Sequence, residues 1–280
     1  MIEPACPAPL AVGVNTMSFM WKVPAREALE TLARAGYRRF EVMAQRPHFD
    51  PMMSRADALA FGRFLKDAGL TVETVNMPSL DQNLASAAPE MREYTVRLFE
   101  RLIGVAEAIG ATGLIVVTGR VNPLIAPPRC ELEGWFAEGF ARVLRAAEAA
   151  GVKLLLENLP MGVHPRADQL IAFADGIDSP LVGICYDIAN AHFIGEDTNG
   201  GLRRVRSRLG IVHLSDTGQQ AWRHDPVGQG SCDFAGFGAT LREIGYGQSS
   251  MLEIVVNDGA MEHIADSHRH IATWGWAAPA

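Results

Sequence analysis

The 280-residue sequence contains little cysteine and no long hydrophobic segment. Its four cysteines, Cys6, Cys130, Cys185 and Cys232, are far apart and form no Cys-x-x-Cys pair. This spacing argues against a disulfide framework or a thiolate zinc site and fits a reducing compartment. No apolar run reaches the ~20 residues of a membrane-spanning helix. Residues 1–7 lack the basic start and apolar core of a signal peptide, so we expect a cytoplasmic protein with no membrane partner.

Positive charge is also in short supply. The chain has 25 Lys and Arg residues against 32 Asp and Glu residues, which gives a net charge of −7 at pH 7. Binding a phosphate backbone needs concentrated Lys and Arg side chains, so we expect no nucleic-acid partner. Hydrophobic residues make up 48% of the sequence, an ordinary balance for a globular protein with a large core. The composition leaves both a monomer and a homo-oligomer open.

A dinucleotide-binding glycine pattern is absent as well, since no Gly-x-Gly-x-x-Gly follows the first predicted strand. Short apolar runs alternate with longer amphipathic runs, and glycine repeatedly separates the two. The predicted strands are Ala11–Asn15, Arg38–Val42, Thr71–Asn76, Gly113–Thr118, Lys153–Glu157, Val182–Asp187, Ile211–Leu214 and Ser250–Ile254. The predicted helices are Ala25–Ala35, Ala56–Ala68, Glu90–Ile109, Glu131–Ala150, Arg166–Ala174 and Asp233–Ile244. This alternation favours an α/β fold with a closed (β/α)₈ TIM barrel over a doubly wound open sheet, with residues 1–280 as a single domain.

Four of the predicted strands, all in the second half of the chain, carry a good metal ligand near their C-terminal end. These residues are Glu157, Asp187, His213 and Glu253. Parallel strands of a barrel end on the same side, so we expect the three carboxylates and the imidazole to converge there. Burying such a cluster without a counter-charge is costly, and the sequence therefore predicts one divalent metal ion. The oxygen-rich ligand set favours Mn²⁺, with Mg²⁺, Co²⁺ and Zn²⁺ as alternatives.

The sequence around these residues resembles a known family. The segments that carry the resemblance are Leu156–Asn158, Cys185–Asn190, Val212–Asp216 and Pro226–Gly230. In order and rough spacing they resemble the xylose isomerase-like sugar isomerase/epimerase superfamily. Its members include ketose 3-epimerases, hydroxypyruvate isomerase, inosose-processing enzymes and AP endonucleases of the endonuclease IV type. The resemblance spans nearly the whole chain and implies a metal-dependent barrel enzyme whose partner is a small carbohydrate substrate.

The resemblance also implies catalytic roles. Ketose epimerases of this family use two metal-binding glutamates to exchange the substrate proton from opposite faces, and by position these are Glu157 and Glu253. One carboxylate would remove the proton beside a carbonyl, which gives an ene-diolate. Return of the proton to the opposite face gives epimerisation, and return to the neighbouring carbon gives isomerisation. Departure of a β-hydroxyl gives dehydration, so a lyase acting on an inosose, a dehydroshikimate-like ketone or a 3-keto-glycoside is the alternative.

Five further residues are predicted to contact the substrate. They are Asn158, Asn190, His192, Arg223 and His224. Many family members have a histidine at the position of Asn190, and an asparagine can bond a hydroxyl but is a poor metal ligand. The AP endonuclease pattern would place an aspartate ligand where this chain has Trp222. These two departures, together with the acidic net charge, argue against a nuclease.

Further predictions concern the surroundings of the site. Asp216 is predicted either to orient the imidazole three residues before it or to cap backbone N–H groups. Trp21 is predicted either to form an apolar wall of the cavity or to pack in the core. His164 and His268 are predicted surface residues, and Gly195–Gly201 is predicted to be a polar loop.

Overall fold

Eight short strands pair in parallel in chain order and close into a barrel, with the first strand beside the eighth. The strands are β1 (Val12–Asn15), β2 (Arg39–Met43), β3 (Thr71–Asn76), β4 (Gly113–Val117), β5 (Lys153–Glu157), β6 (Val182–Asp187), β7 (Leu209–Leu214) and β8 (Ser250–Leu252). The computed structural model describes residues 8–277, so Cys6 and the signal-peptide prediction on residues 1–7 lie outside the described residues. The predicted (β/α)₈ TIM barrel is confirmed.

Helices surround the barrel and connect its strands. They are α1 (Ala25–Arg34), α2 (Arg55–Asp67), α3 (Pro89–Ile109), α4 (Arg129–Ala150), α5 (Ala167–Asp175), α6 (Ile188–Phe193), α7 (Thr198–Val205), α8 (Phe234–Glu243) and α9 (Ala260–Ala272), with a 3₁₀ helix at Met17–Phe19. The sequence patterns do not predict α6, α7 and α9, and α7 corrects the predicted polar loop at Gly195–Gly201. Within residues 8–277, no helix combines the length and the apolarity needed to cross a bilayer.

Glycines end several of the helices where the sequence predicts it. Gly110 follows α3 with φ 83°, and Gly151 follows α4 with φ 68°. Glycine adopts this left-handed conformation without the steric penalty of a Cβ, so the chain can leave the helix and start the next strand within three residues. Gly176 after α5 is the exception, because its φ of −71° is right-handed.

The barrel interior holds an apolar layer beneath its C-terminal mouth. This layer is formed by Ile115, Leu155, Cys185, Ile211 and Met251. Side chains two residues apart on a strand point to the same face, so each of the last four members is followed by a polar residue directed toward the mouth. The successive pairs are Leu155 and Glu157, Cys185 and Asp187, Ile211 and His213, and Met251 and Glu253. The strand period therefore places a filled apolar floor under a polar cluster.

Candidate metal centre and its cavity

The four predicted metal ligands lie together at the C-terminal mouth of the barrel. The ligand atoms of Glu157, Asp187, His213 and Glu253 all lie within 4.8 Å of one another. All four side chains are buried. Asp187 on β6 is paired in register with His213 on β7, while the two glutamates come from the ends of β5 and β8. Three acids and one imidazole in so small a buried space call for a positive counter-charge.

The two ring nitrogens of His213 face different partners. Nδ1 lies 3.2 Å from Oε1 of Glu157 and 3.1 Å from Oε2 of Glu253. Nε2 lies 3.1 Å from Oε1 of Glu41 on β2. Nδ1 is therefore the nitrogen turned toward the cluster, and the Nε2–H group donates to Glu41. Metal-binding histidines commonly make such a bond through the nitrogen that does not hold the metal, which fixes the ring orientation.

Glu41 supports the candidate cluster, and the sequence patterns do not predict this contact. Besides the imidazole, its carboxylate accepts hydrogen bonds from Oγ1 of Thr74 at 2.6 Å and from Nδ2 of Asn76 at 3.0 Å. It also accepts from Nδ2 of Asn15 at 2.6 Å, and the same amide donates to Oε1 of Glu253 at 2.9 Å. These bonds connect β1, β2 and β3 to the candidate metal cluster, so the first half of the chain supports candidate ligands that the second half supplies.

Asp216 does not orient the imidazole. Its carboxylate accepts hydrogen bonds from the backbone N–H groups of Thr217 at 2.9 Å, Gly228 at 2.8 Å and Cys232 at 3.0 Å. The backbone-capping alternative is therefore confirmed. Through these bonds Asp216 stabilises the loop after β7, which carries His224.

The charges in the cluster shift the pKa values of its members. Burial raises the pKa of Glu253 to about 7; His213 acts against this shift and Glu157 adds to it. Burial disfavours the charged form of His213, yet the adjacent Cys185, Glu253 and Glu41 raise its pKa well above the usual value. Burial also opposes ionisation of Glu41, but the charge and hydrogen bond of His213, together with the hydrogen bonds of Thr74 and Asn76, lower the pKa of Glu41. A divalent cation among these atoms would take over the counter-charge that a proton on His213 provides.

Asp187 provides the observation that best fits a bound cation. Its Oδ1 accepts a hydrogen bond from the backbone N–H of Asn190 at 2.8 Å. Its Oδ2 is buried and has no hydrogen-bond partner among the described residues. Nδ1 of His224 and Nδ1 of His213 lie 3.7 and 4.0 Å from that oxygen. Leaving a buried acceptor without a partner costs about 1–3 kcal/mol or more, whereas a cation would satisfy it.

Replacing Glu41 by glutamine is expected to weaken Mn²⁺ binding about 10–100-fold, which is the usual effect of losing such an orienting partner. Glutamine keeps the side-chain size but removes the negative charge that accepts the Nε2–H of His213. Calorimetric titration of metal-free protein with Mn²⁺ measures the change. Glu73→Gln is a matched control, because Glu73 lies on β3 and pairs with Arg39 instead. An unchanged affinity in Glu41→Gln would show that Glu41 does not support the ligand.

A cavity of about 610 Å³ opens onto the cluster. Glu157 and Glu253 line it, and most of its walls come from the loops after β1, β3, β4, β7 and β8, with Leu159 after β5 and Asn190 after β6 completing the lining. Of the apolar residues after β1, Met17, Met20 and Trp21 line the cavity, whereas Phe19 packs in the core. A concave site with apolar walls and a few convergent polar groups is typical of small-molecule binding.

Three of the predicted substrate contacts line this cavity. Asn190 is one of them, and its Oδ1 accepts a hydrogen bond from the indole N–H of Trp222 at 2.6 Å. His224 is the second, with Nδ1 3.5 Å from Oε2 of Glu253. Arg223 is the third, and its side chain is 64% exposed. The cavity therefore presents an amide, an imidazole and a guanidinium beside one of the two glutamates.

The other two predicted contacts are directed elsewhere. The side chain of Asn158 is buried and, within residues 8–277, bonds the backbone of Asp187 alone, donating to its carbonyl at 2.8 Å and accepting from its N–H at 2.7 Å. These bonds align the ends of β5 and β6. His192 bonds Oγ of Ser231 through Nε2 at 2.8 Å, outside the set of residues that line the cavity in residues 8–277. Both residues support the frame around the site.

Two histidines predicted at the surface are buried, which corrects that prediction. The ring of His164 packs against Phe136 and Phe173, with centroid distances of 5.6 and 5.0 Å. Burial lowers the pKa of His164 to about 4. His268 packs against Tyr37, with a centroid distance of 5.4 Å. His164 therefore packs between α4 and α5, and His268 packs from α9 against Tyr37.

Comparison with known proteins identifies the family. Residues 29–274 match the family model described as a xylose isomerase-like TIM barrel. This match covers most of the chain, and the protein belongs to this family. The resemblance that the sequence segments carry is thereby confirmed.

The chain is similar to several proteins with known names. It is 23% identical over 250 residues to a D-psicose 3-epimerase of Ruminiclostridium cellulolyticum, which covers 85% of this chain and 81% of that protein. It is 30% identical over 181 residues to a probable endonuclease 4 of Mycobacterium ulcerans, covering 60% of this chain and 68% of that protein. Among solved structures, a D-tagatose 3-epimerase-like protein superposes with a TM-score of 0.80 at 20% identity, covering 94% and 99% of the two chains.

Proposed function

We propose that the protein is a divalent-metal-dependent isomerase or epimerase that acts on a ketose or a related polyhydroxy carbonyl compound. The observation that carries this proposal is the position of Glu157 and Glu253. Both carboxylates line one cavity, and both lie close to Nδ1 of His213, at 3.2 and 3.1 Å. Family membership and the sugar-epimerase names of several relatives support the same reaction class.

The ligand set fits a cation with a preference for oxygen and imidazole, for which Mn²⁺ is the first candidate. Glu157, Asp187, His213 and Glu253 would hold it, and the unpartnered Oδ2 of Asp187 supports this assignment. When bound, the cation would supply the Lewis acidity that makes the proton beside a substrate carbonyl easier to remove. The cavity also exposes Asn190 and His224 to the substrate, where an amide and an imidazole can orient hydroxyl groups.

The two glutamates would move the proton. One carboxylate takes it from the carbon beside the carbonyl, and the ene-diolate of the substrate results. The other carboxylic acid returns a proton, either to the opposite face of the same carbon or to the neighbouring carbon. Two acid–base groups on one cavity suit both outcomes, so the metal ligands alone do not distinguish epimerisation from isomerisation. The dehydratase alternative shares the first step and differs only in the loss of a hydroxyl.

The nuclease activity named for some relatives is disfavoured by the residues around the cluster. The regions in which a nuclease of this family would carry further metal ligands are Glu41–Met43, Asn76–Pro78, Asn190 and Trp222 here, and none of them contains a histidine. Glu41 and Asn76 bond each other, at 3.0 Å, and so do Asn190 and Trp222, at 2.6 Å. These side chains therefore satisfy one another. The net charge of −7 also opposes a nucleic-acid substrate.

Incubating the Mn²⁺-loaded protein with a panel of ketoses, inososes and keto-acids in D₂O tests the proposal. We expect deuterium to enter the carbon beside the carbonyl of at least one sugar, with no net loss of carbohydrate, as mass spectrometry and NMR would detect. An unsaturated product that absorbs in the ultraviolet would instead assign the protein as a lyase. Absence of both deuterium and new product across the whole panel would contradict the proposed function.

A further inference from the structure

One thiol lies against the candidate metal cluster without lining its cavity. Cys185 belongs to the apolar layer beneath the mouth, and its side chain is fully buried. Its Sγ, a carboxylate oxygen of Glu157 and a ring nitrogen of His213 all lie within 4.8 Å of one another. Glu157 lines the cavity, whereas Cys185 is outside the set of lining residues within residues 8–277. The thiol therefore meets the cluster from the side of the barrel floor.

The register between the strands explains this contact. Cys185 on β6 is the register partner of Glu157 on β5, while Asp187 is the partner of His213 on β7. The strands of a closed barrel are staggered by its shear, so a residue in a lower layer of one strand stands level with a higher layer of its neighbour. Cys185 thus belongs to the floor on its own strand and is also a direct neighbour of Glu157 across the sheet.

The three groups form a ligand set of a different chemical type from the oxygen-rich set at the mouth. A thiolate is a soft ligand that favours Zn²⁺ and Cd²⁺, whereas carboxylate oxygens suit Mn²⁺ and Mg²⁺. Sulfur, imidazole and carboxylate ligands occur together in zinc sites, where a water molecule can complete the coordination. The spacing of the cysteines argues against a site built from several thiolates, but a single thiolate beside an imidazole and a carboxylate needs no such spacing.

We infer that Cys185, Glu157 and His213 form a second, deeper metal site that binds thiophilic divalent cations such as Cd²⁺ and Zn²⁺. The deeper site and the site at the mouth share Glu157 and His213, so one chain cannot fill both at the same time. A thiophilic cation therefore competes with Mn²⁺. The inference concerns metal binding alone and goes beyond the proposed reaction, because it holds whichever substrate the protein uses.

The charges of the deeper site suit its apolar surroundings. One thiolate and one carboxylate supply two negative charges, so the filled site with a neutral imidazole carries no net charge. The cost of burying charge is lowest for such a balanced set, and Ile115, Leu155, Ile211 and Met251 form the rest of the layer around the sulfur. On binding, the Sγ–H bond breaks, an Sγ–metal bond forms and the proton leaves to solvent. Nothing is oxidised or reduced.

Titration of the metal-free protein with Cd²⁺, followed by ultraviolet absorption, tests the inference without any substrate. A cadmium–thiolate bond absorbs in the ultraviolet through charge transfer from sulfur to the metal. We expect this band to grow until one Cd²⁺ is bound per chain. Mn²⁺ should produce no such band, because its ligands at the mouth are oxygen and nitrogen atoms. Cd²⁺ added to the Mn²⁺-loaded protein should release Mn²⁺, which electron paramagnetic resonance detects as the free ion.

Variants of two cysteines assign the band. Cys185→Ala should abolish it and lower the Cd²⁺ affinity by at least the about 10–100-fold that loss of an orienting partner costs, because a ligand atom is lost. Cys185→Ser, which is closer in size to the natural residue, should behave in the same way because a hydroxyl is a poor ligand for a soft cation. Both variants should bind Mn²⁺ as tightly as the unmodified protein does, which also shows that they fold.

Cys232→Ser is the matched control. Cys232 lies in the loop after β7 with its Sγ 3.9 Å from the carbonyl oxygen of Thr217, outside the three-residue set. This variant removes a partly buried thiol from the same end of the barrel. It should retain both the band and the Cd²⁺ affinity of the unmodified protein.

Three outcomes would overturn the inference. A band that persists in Cys185→Ala would assign the thiolate to another cysteine. Cd²⁺ binding without a band in the unmodified protein would place the ion among the oxygen and imidazole ligands of the mouth. An equal loss of Mn²⁺ and Cd²⁺ affinity in both Cys185 variants would reduce Cys185 to a packing residue. None of these results rejects the proposed function, and a failure of deuterium exchange with every sugar would reject that function while the cadmium result stands.

Discussion

Glu157→Gln and Glu253→Gln are each expected to lower the interconversion of substrate and product by about 10²–10⁴-fold, the usual contribution of a positioned acid–base group. Glutamine fills the same space but neither accepts nor donates the substrate proton as a carboxyl group does. Both glutamates line the cavity and lie near one imidazole nitrogen, so neither can replace the other in position. The measurement is the rate of product formation by NMR at saturating Mn²⁺.

The fold should survive both substitutions. Each removes one negative charge from a buried cluster that contains Glu41, Glu157, Asp187 and Glu253, so like-charge repulsion in the metal-free protein decreases. Thermal unfolding of the metal-free variants should therefore occur at or above the temperature of the unmodified protein. Glu73 lies outside the cluster and forms a salt bridge with Arg39. As a control, the variant Glu73→Gln should change neither the rate nor the unfolding temperature. A variant that retains near-native interconversion would remove its glutamate from the mechanism.

Deuterium exchange separates the roles of the two glutamates further. If Glu157 and Glu253 act on opposite faces of the substrate, each variant keeps one working glutamate. That glutamate can still exchange the proton of the epimer whose C–H bond points toward it. Each variant should then label only one of the two epimers, and the labelled epimer should differ between them. Labelling of the same epimer by both variants would argue that a single residue handles both faces.

The ligand cluster could be predicted from the sequence because its determinants are local. Each predicted ligand stands at the end of a short apolar strand. Because side chains two residues apart on a strand share a face, the ligand points to the same side as the apolar residue two positions earlier. Leu155 and Glu157 illustrate this relation on β5. Once parallel strands close into a barrel, residues at these ends must meet. The prediction needed no knowledge of the register between strands.

The support of the cluster could not be predicted because it depends on the opposite side of the barrel. Glu41 and His213 are 172 residues apart in sequence, and their contact follows from how β2 faces β7 across the barrel interior. Asp216, which is near His213 in sequence, directs its carboxylate to loop N–H groups instead. Asn158 likewise has the chemistry of a substrate contact, but the neighbouring strand end at Asp187 uses both of its polar atoms.

Helix α7 shows how tertiary contacts override a local signal. Its sequence contains Gly200 and Gly201, which predict a loop because glycine disfavours helix. The side chain of Asp197 caps the first turn by accepting the N–H of Gly200, and Leu202 packs in the core. A Cβ at position 201 would collide with the hydroxyl of Tyr186. The glycine is thus required by packing against β6 and carries no information about a loop.

His213→Ala is expected to reduce Mn²⁺ affinity by more than about 100-fold, which exceeds the effect of losing an orienting partner because a ligand atom itself is removed. It also leaves Glu41 without its Nε2–H donor and removes the positive charge between four buried carboxylates. Uncompensated buried charge of this kind costs about 3–5 kcal/mol, so the alanine variant should also unfold at a lower temperature.

His213→Gln separates these two effects. The amide nitrogen of glutamine can occupy the position of Nε2 and donate to Glu41, but the side chain has no atom at the position of Nδ1, the nitrogen that faces Glu157 and Glu253. The glutamine variant should therefore be more stable than the alanine variant and bind Mn²⁺ as poorly.

For the unmodified protein, Mn²⁺ at about 100 times its Kd adds ~2.7 kcal/mol of stability and should raise the unfolding temperature by roughly 5 °C. Both His213 variants should lose this metal-induced increase in unfolding temperature. If a variant keeps both the increase and its full metal content, the cation does not bind at His213.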